Sequence, residues 1–206
     1  IGYVTKTKIF TIMKKNLGAK MFFTPLPVLV IGTYNSAGIP DAMNVAWAGQ
    51  CGPKAVALNI GSHQTTENLK LKKCFTLAYA NRDNEAQADF VGLVSGRKDK
   101  DKIKETGWKT SKSSHIDAPV FEDFPLTLEC RVTEMKEVSE SEFRVVGEVI
   151  NMIADQHILN EKGQIDIDRL QPILLDDTAG VYRIVGEKVG SAFHDGKQFK
   201  SISKDN

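Results

Sequence analysis

A mainly β protein, a β-barrel with a few helices, is predicted by three observations. Apolar, β-rich runs recur along the chain at Val28–Tyr34, Ala55–Ile60, Cys74–Ala80 and Phe143–Ile153, bounded by Gly, Asn and Ser turn signals. Leu126, Leu128, Cys130 and Val132 alternate with Thr127, Glu129, Arg131 and Thr133, a period of two that reads as a strand with one buried face. Helical segments are few and do not alternate regularly with strands, which disfavours a doubly wound parallel sheet. About six hairpin-connected strands are best served by an antiparallel barrel, closed or nearly closed, because closure removes exposed strand edges.

The elements follow in order. Val28–Tyr34 is a strand, Asn35–Gly38 a turn, and Asp41–Trp47 the returning strand of a hairpin. Ala55–Ile60 is a third strand, broken by Gly61-Ser62-His63-Gln64 before a short helix over Thr65–Lys73. Cys74–Ala80 is a fourth strand. Asn84–Val94 reads as a helix, Lys98–Glu105 as a charged, exposed helical turn, and a loop runs on to Phe124. Ser139–Glu142 turns the alternating strand back into Phe143–Ile153. Asn160–Gly163 is a further turn, Ile167–Leu170 a helical turn, and Gly180–Val185 the closing strand.

Composition narrows the function classes. A hydrophobic share of 41% and a charged share of 26% are ordinary for a globular protein with a sizeable core. A net charge of +1 gives no global field toward nucleic acid or anionic membrane. The longest apolar run, Pro27–Ile31, is too short to span a bilayer, and the first residues lack the layout of a signal peptide. Three widely spaced cysteines, Cys51, Cys74 and Cys130, suggest neither a disulfide framework nor a zinc site, and Cys74 and Cys130 read as small buried hydrophobes. Together these features fit a reducing cytoplasm. Residues 1–12 have no clear period and read as an N-terminal extension. The dinucleotide-binding glycine fingerprint, the P-loop and the G-x-S-x-G elbow are all absent from the sequence. His63, His115, His157 and His194 show no metal-ligand spacing, so no metal is expected. The Asp176-Asp177 pair reads as solvated surface.

Two segments carry chemistry. Gly61-Ser62-His63-Gln64-Thr65-Thr66-Glu67-Asn68 joins a strand end to a helix start and is rich in hydroxyl, amide and free backbone N–H donors. Such a helix N-terminus favours an anion, most often phosphate. Helix capping by Ser62, Thr65 or Thr66 is the competing reading. Asn44-Val45-Ala46-Trp47-Ala48-Gly49 sets small residues beside a Trp, so that backbone can approach a flat ligand while Trp47 flanks it. A core or interface Trp is the competing reading there.

Taken together these segments resemble the flavin reductase family, including its flavoredoxin-like members. Pro27–Thr33, Asn44–Trp47 and Ser62–Leu69 carry the likeness in the first half of the chain. Asp89–Gly92, Ser95-Gly96, Asp101-Lys102, Ala118-Pro119, Pro125–Cys130 and Gly147–Val149 carry it further, so that it runs from about Pro25 to Gly196. The resemblance implies a Greek-key split barrel over residues 13–206, one FMN per subunit, and a site near a homodimer interface. It implies that Asn44, Val45, Ala46 and Trp47 line the isoalloxazine. Ser62, His63, Gln64, Thr65 and Thr66 would hold the ribityl phosphate, with Gly61 and Asn68 beside them as further cofactor-binding residues. Ser95 and Lys102 would lie close to the flavin, with Lys102 supplying positive charge; a solvated helix Lys is the plain reading of that residue.

Two departures matter. Similar sequences often carry Lys or Arg where this one has Gln64. Some also carry a His ahead of their Gly-Glu-Val, where this chain reads Phe143-Arg144-Val145-Val146-Gly147. The second departure bears on use of NADH or NADPH more than on FMN. Three functions stay open: an NAD(P)H-dependent flavin oxidoreductase, a flavoredoxin-like carrier reduced by a redox protein partner, and a non-catalytic flavin-binding module.

Overall fold

The computed structural model describes residues 14–199. The proposed extension at 1–12 lies outside them. The chain begins with β1 (Leu26–Pro27), β2 (Leu29–Tyr34), β3 (Pro40–Val45), β4 (Ala48–Gly52) and β5 (Ala55–Gly61). Helix α1 (Gln64–Lys72), β6 (Cys74–Tyr79), α2 (Glu85–Leu93) and α3 (Lys102–Thr106) follow. The second half contains β7 (Thr110–Lys112), β8 (Pro119–Phe121), β9 (Leu126–Ser139), β10 (Glu142–Ala154), α4 (Ile167–Leu170), β11 (Ile173–Asp176) and β12 (Val181–Ile184).

The main sheet has seven antiparallel strands in the order β3-β2-β6-β9-β10-β5-β4. It curls without closing, which leaves β3 and β4 as its edges. A small sheet of β1, β11 and β12 and a ribbon of β7 and β8 complete the fold. The described residues hold twelve strands, where the sequence suggests about six and seven segments read as strands. The extra ones are short: β1, β4, β7, β8 and β11 have two to five residues each, below the length at which a pattern shows.

The sheet is covered on both faces. Inside its curl pack Leu29, Ile31, Leu58, Phe75, Leu77, Cys130 and Val145. Val28, Val30, Ala78, Ala88, Val91, Trp108, Phe121 and Phe124 fill a second layer beneath α2, α3 and the β7–β8 ribbon. A strand buried on both faces has no reason to alternate, which accounts for the continuous apolar run in β2. The same double cover corrects the one-faced reading of β9. Thr127 and Glu129 are as buried as their apolar neighbours, and only the half beyond Arg131 leaves the body, paired with β10. The carboxylate of Glu129 accepts from Ser113 Oγ and Asn151 Nδ2, and pairs with His115 Nδ1 at 2.7 Å. Cys74 and Cys130 are buried and Cys51 is exposed. Burial pushes the Cys130 thiol up to about 12, so it stays protonated and inert.

Gly32 shows how closely the layers meet. A Cβ there would sit 2.8 Å from the Phe121 ring and 3.2 Å from the Pro119 carbonyl, and closer still to the Thr76 hydroxyl. Gly32→Ala is therefore expected to cost about 1–3 kcal/mol by overpacking. Gly49→Ala, with open space around it, should fall within about 0.5 kcal/mol of wild type. Urea unfolding of the two variants side by side checks this.

Candidate functional site

A cleft of about 360 Å³ opens where β3, the end of β5, the start of α1 and the end of α2 converge. Each wall has a local cause. Trp47, between β3 and β4, is held by its carbonyl, which accepts from Asn59 N–H of β5 at 2.9 Å. Its indole stands at the mouth, 63% exposed. α2 lies tightly on β3: a Cβ on Gly92 would overlap the Asn44 amide, and one on Gly96 would overlap the Asp41 carboxylate. Only glycine lets the turn after α2 come this near. Tyr182 Oη of β12 donates to Asp89 Oδ1 at 2.6 Å and ties α2 from behind.

The floor contains a buried ion pair. Lys102 Nζ lies 2.8 Å from Asp41 Oδ1, and both side chains are almost wholly buried. Thr65 Oγ1 donates to the other oxygen, Oδ2, at 3.0 Å, and Lys102 Nζ also donates to the Val94 carbonyl at 3.3 Å. One carboxylate thus joins β3, α1 and α3 at the cleft.

The first turn of α1 faces this space. Its opening N–H groups have no carbonyl one turn back to bind, and they carry the positive end of the helix dipole. Thr66 Oγ1 accepts from His63 N–H at 3.2 Å and donates to the Gly61 carbonyl at 2.5 Å. Burial, and then the nearby Arg97 and Lys102 charges, hold the His63 imidazole below its usual value, so it is neutral at pH 7. Arg97 lies across the helix start. Its Nη2 donates to Ser62 Oγ at 3.2 Å and to the His63 carbonyl at 3.4 Å, and reaches Glu67 Oε1 at 2.7 Å.

Most of the residues singled out from the sequence meet here. Asn44, Val45, Ala46, Trp47, Gly61, His63, Gln64, Thr65, Ser95 and Lys102 all line the cleft. Three do not. Ser62 is exposed beside Arg97, Thr66 is turned inward as a cap, and Asn68 is buried with its Nδ2 donating to Thr33 Oγ1 at 3.0 Å. Two expectations need correction. The hydroxyls of Thr65 and Thr66 do not converge on one point, because each has an internal acceptor. Lys102 is neither a solvated helix lysine nor a free positive charge, because a buried ammonium needs a counter-ion and Asp41 supplies it.

Sequence reasoning missed Asp41, Arg97 and the Val91–Val94 wall. The signal for Arg97 was one residue past Ser95-Gly96, and a glycine-arginine pair beside a suspected anion site was reason to include it. Asp177, read as solvated, is exposed and stands at the rim of the cleft.

A model of the flavin reductase like domain matches residues 21–182. The chain belongs to the flavin reductase-like family. Among solved structures, this flavin reductase-like protein is similar to flavoredoxin of Desulfovibrio vulgaris, with 29% identity and a TM-score of 0.84 over 90% of this chain and 100% of that one. Flavoredoxin from Methanosarcina acetivorans gives 26% identity and 0.83, over 92% and 100%. A split-barrel-domain protein from Shewanella frigidimarina, at 21% identity and 0.70 over 81% and 84%, shares the fold. The mainly β split-barrel expectation holds, with a curled but open main sheet. No curated protein matches the chain. Among the described residues no helix is long and apolar enough to cross a membrane, and no cluster of His, Cys, Asp and Glu suits a metal.

Proposed function

We propose that this chain binds FMN in the cleft between β3 and α1 and acts as an NAD(P)H-dependent flavin oxidoreductase. The observation that carries the reading is the two-ended character of the cleft. Its Asn44–Trp47 side is partly apolar and carries the Trp47 indole, suited to a flat ring. Its α1 side is formed by the helix start at His63–Thr65, with Arg97 next to it on the His63 carbonyl, a setting suited to a phosphate. FMN has these two ends. When bound, it supplies hydride and electron transfer.

The chain's own residues do the rest. The backbone of Asn44–Ala46 and the Trp47 indole would hold the ring. The buried Asp41–Lys102 pair fixes β3, α1 and the turn after α2 around it. The neutral His63 adds a polar lining without adding charge. None of these residues would have to act as an acid or nucleophile; they would bind and orient the ring and line the cleft around it.

A second reading, a flavoredoxin-like carrier reduced by a protein partner, draws on two observations. The stretch Phe143–Gly147 has no histidine, and the two flavoredoxins above share this fold along most of the chain. Anaerobic mixing of the FMN-loaded protein with NADH or NADPH separates the two. Rapid bleaching of the flavin band supports the reductase. A band that persists with both nucleotides but bleaches with dithionite sinks it in favour of the carrier.

We also propose a homodimer in a reducing cytoplasm. The open sheet leaves β4 as an edge, and Met21, Phe22, Phe23 and Trp47 line an exposed groove beside it. A two-fold partner is the usual cover for such a face. A stable monomer in light scattering of the FMN-loaded protein would remove this part.

A further inference from the structure

We infer that Glu67 and Arg97 form an exchangeable clasp in which the phosphate of the flavin displaces the Glu67 carboxylate from Arg97, an inference that rests on the FMN reading above. Two cations stand near the α1 end of the cleft, Lys102 in its lining and Arg97 just outside it against the His63 carbonyl, and they differ in availability. Lys102 is committed in the interior to Asp41, with both side chains about 95% buried. Arg97 is 42% exposed, and its carboxylate partner Glu67 is 55% exposed.

An ion pair of that exposure contributes at most about 1 kcal/mol, because water screens it and two long side chains must be held. It is therefore cheap to break. A phosphate offers the same guanidinium two charged oxygens, a stronger and more directional partner. Arg97 is also already in position. The turn that carries it is pressed against α1, since a Cβ on Gly96 would come within 3.4 Å of Gln64 Cβ. Its Nη2 already touches Ser62 and the His63 carbonyl at the helix start. An anion seated on the first N–H groups of α1 would meet Arg97 with little movement of backbone.

Glu67 has the opposite effect. It lies one turn into α1, where its negative charge favours the helix and opposes an incoming dianion. In the empty protein it neutralises Arg97. In the bound protein it has lost that partner and faces the phosphate. Glu67 thus lowers FMN affinity while leaving the ring site untouched. The lost charge of the Gln64 position is supplied from another element, with a built-in competitor that sets its strength.

The test is a titration of FMN and of riboflavin, which lacks the phosphate, into wild type, Glu67→Gln, Arg97→Gln and the double variant. Glu67→Gln is expected to tighten FMN about three- to tenfold, and Arg97→Gln to weaken it about tenfold or more. Riboflavin should stay within about twofold throughout, and Glu67→Gln should tighten FMN by a smaller factor once Arg97 is gone, because only the direct repulsion by Glu67 is then relieved. Arg97→Lys, which keeps the charge without the fork, should fall between. Melting temperatures of the flavin-free variants check that all are folded. An FMN-to-riboflavin ratio unchanged by Arg97→Gln overturns the clasp, and so does a Glu67→Gln variant that binds FMN more weakly. A wild type that binds neither flavin would instead remove the FMN reading itself, and the clasp with it.

Discussion

Asp41→Ala is expected to lower the unfolding free energy by about 3–5 kcal/mol. The change leaves the Lys102 ammonium buried without a counter-ion and takes the acceptor from Thr65 Oγ1. It also loosens three elements at once, because β3, α1 and α3 meet on that one carboxylate. For a chain of this length the melting temperature should fall by roughly 10 °C. The control is a double change, Asp41→Leu with Lys102→Met, which removes both charges. Replacing a buried pair by apolar side chains of similar volume is often near neutral, so most of the loss should return. Guanidinium unfolding of wild type, single and double variants measures this. A single variant within about 1 kcal/mol of wild type would mean that water reaches Lys102 and the pair is not sealed. The double variant also has a functional use: with the cleft re-formed but uncharged at its floor, FMN binding shows whether the pair acts only as a brace.

The second large effect is expected at Glu129. Its carboxylate is fully buried and accepts from Ser113, Asn151 and His115. Burial alone would raise its pKa, but hydrogen bonds from Ser113, Asn151 and His115 outweigh burial and hold it below the usual carboxylate value. A carboxyl whose folded value is depressed contributes stability above its unfolded pKa of about 4.3, and loses it as pH falls through the folded value. Wild type should therefore weaken below about pH 4 more steeply than Glu129→Gln. At pH 7 the Gln variant should be less stable by about 2–3 kcal/mol, since a neutral amide replaces a charged acceptor and meets Asn151 with a donor of its own. Unfolding curves from pH 3 to 7 for both proteins decide it. Parallel pH profiles would show that another carboxyl governs acid unfolding.

Fold class was legible because the long strands carry strong local signals. Cys74–Tyr79 and Glu142–Ala154 match the runs Cys74–Ala80 and Phe143–Ile153 to within a residue. The helix over Thr65–Lys73 is shifted by only one position. What the sequence hid is whatever depends on a partner far along the chain. Thr127 and Glu129 read as a solvent face because nothing local shows that both are buried or that Ser113 and His115 reach Glu129. Lys102 read as a helix lysine or a ligand because its partner, Asp41, lies on β3. Thr65 and Thr66 read as two hydroxyls facing one anion, and only the fold shows Asp41 and the Gly61 carbonyl as their acceptors. The residue types around the cleft were visible. Their charge balance was not, because it is set by which groups burial forces together.

The strand order also governs how the cleft is assembled in time. β3 and β5, which supply two of its walls, lie far apart in the sheet, with β2, β6, β9 and β10 between them. β5 gains its inner neighbour only through the pairing of Glu142–Glu148 with Ala55–Gly61, after all of α1, β6, α2, α3 and β9 has been made. Long-range closures of this kind are slow, because the entropy of the intervening chain is lost before the contact rewards it. A nascent chain released before β10 therefore has every cleft residue from Asp41 to Lys102 and still no cleft. Flavin cannot act as a template for such a chain. A flavin that binds only the completed cleft would stabilise the curled sheet by mass action.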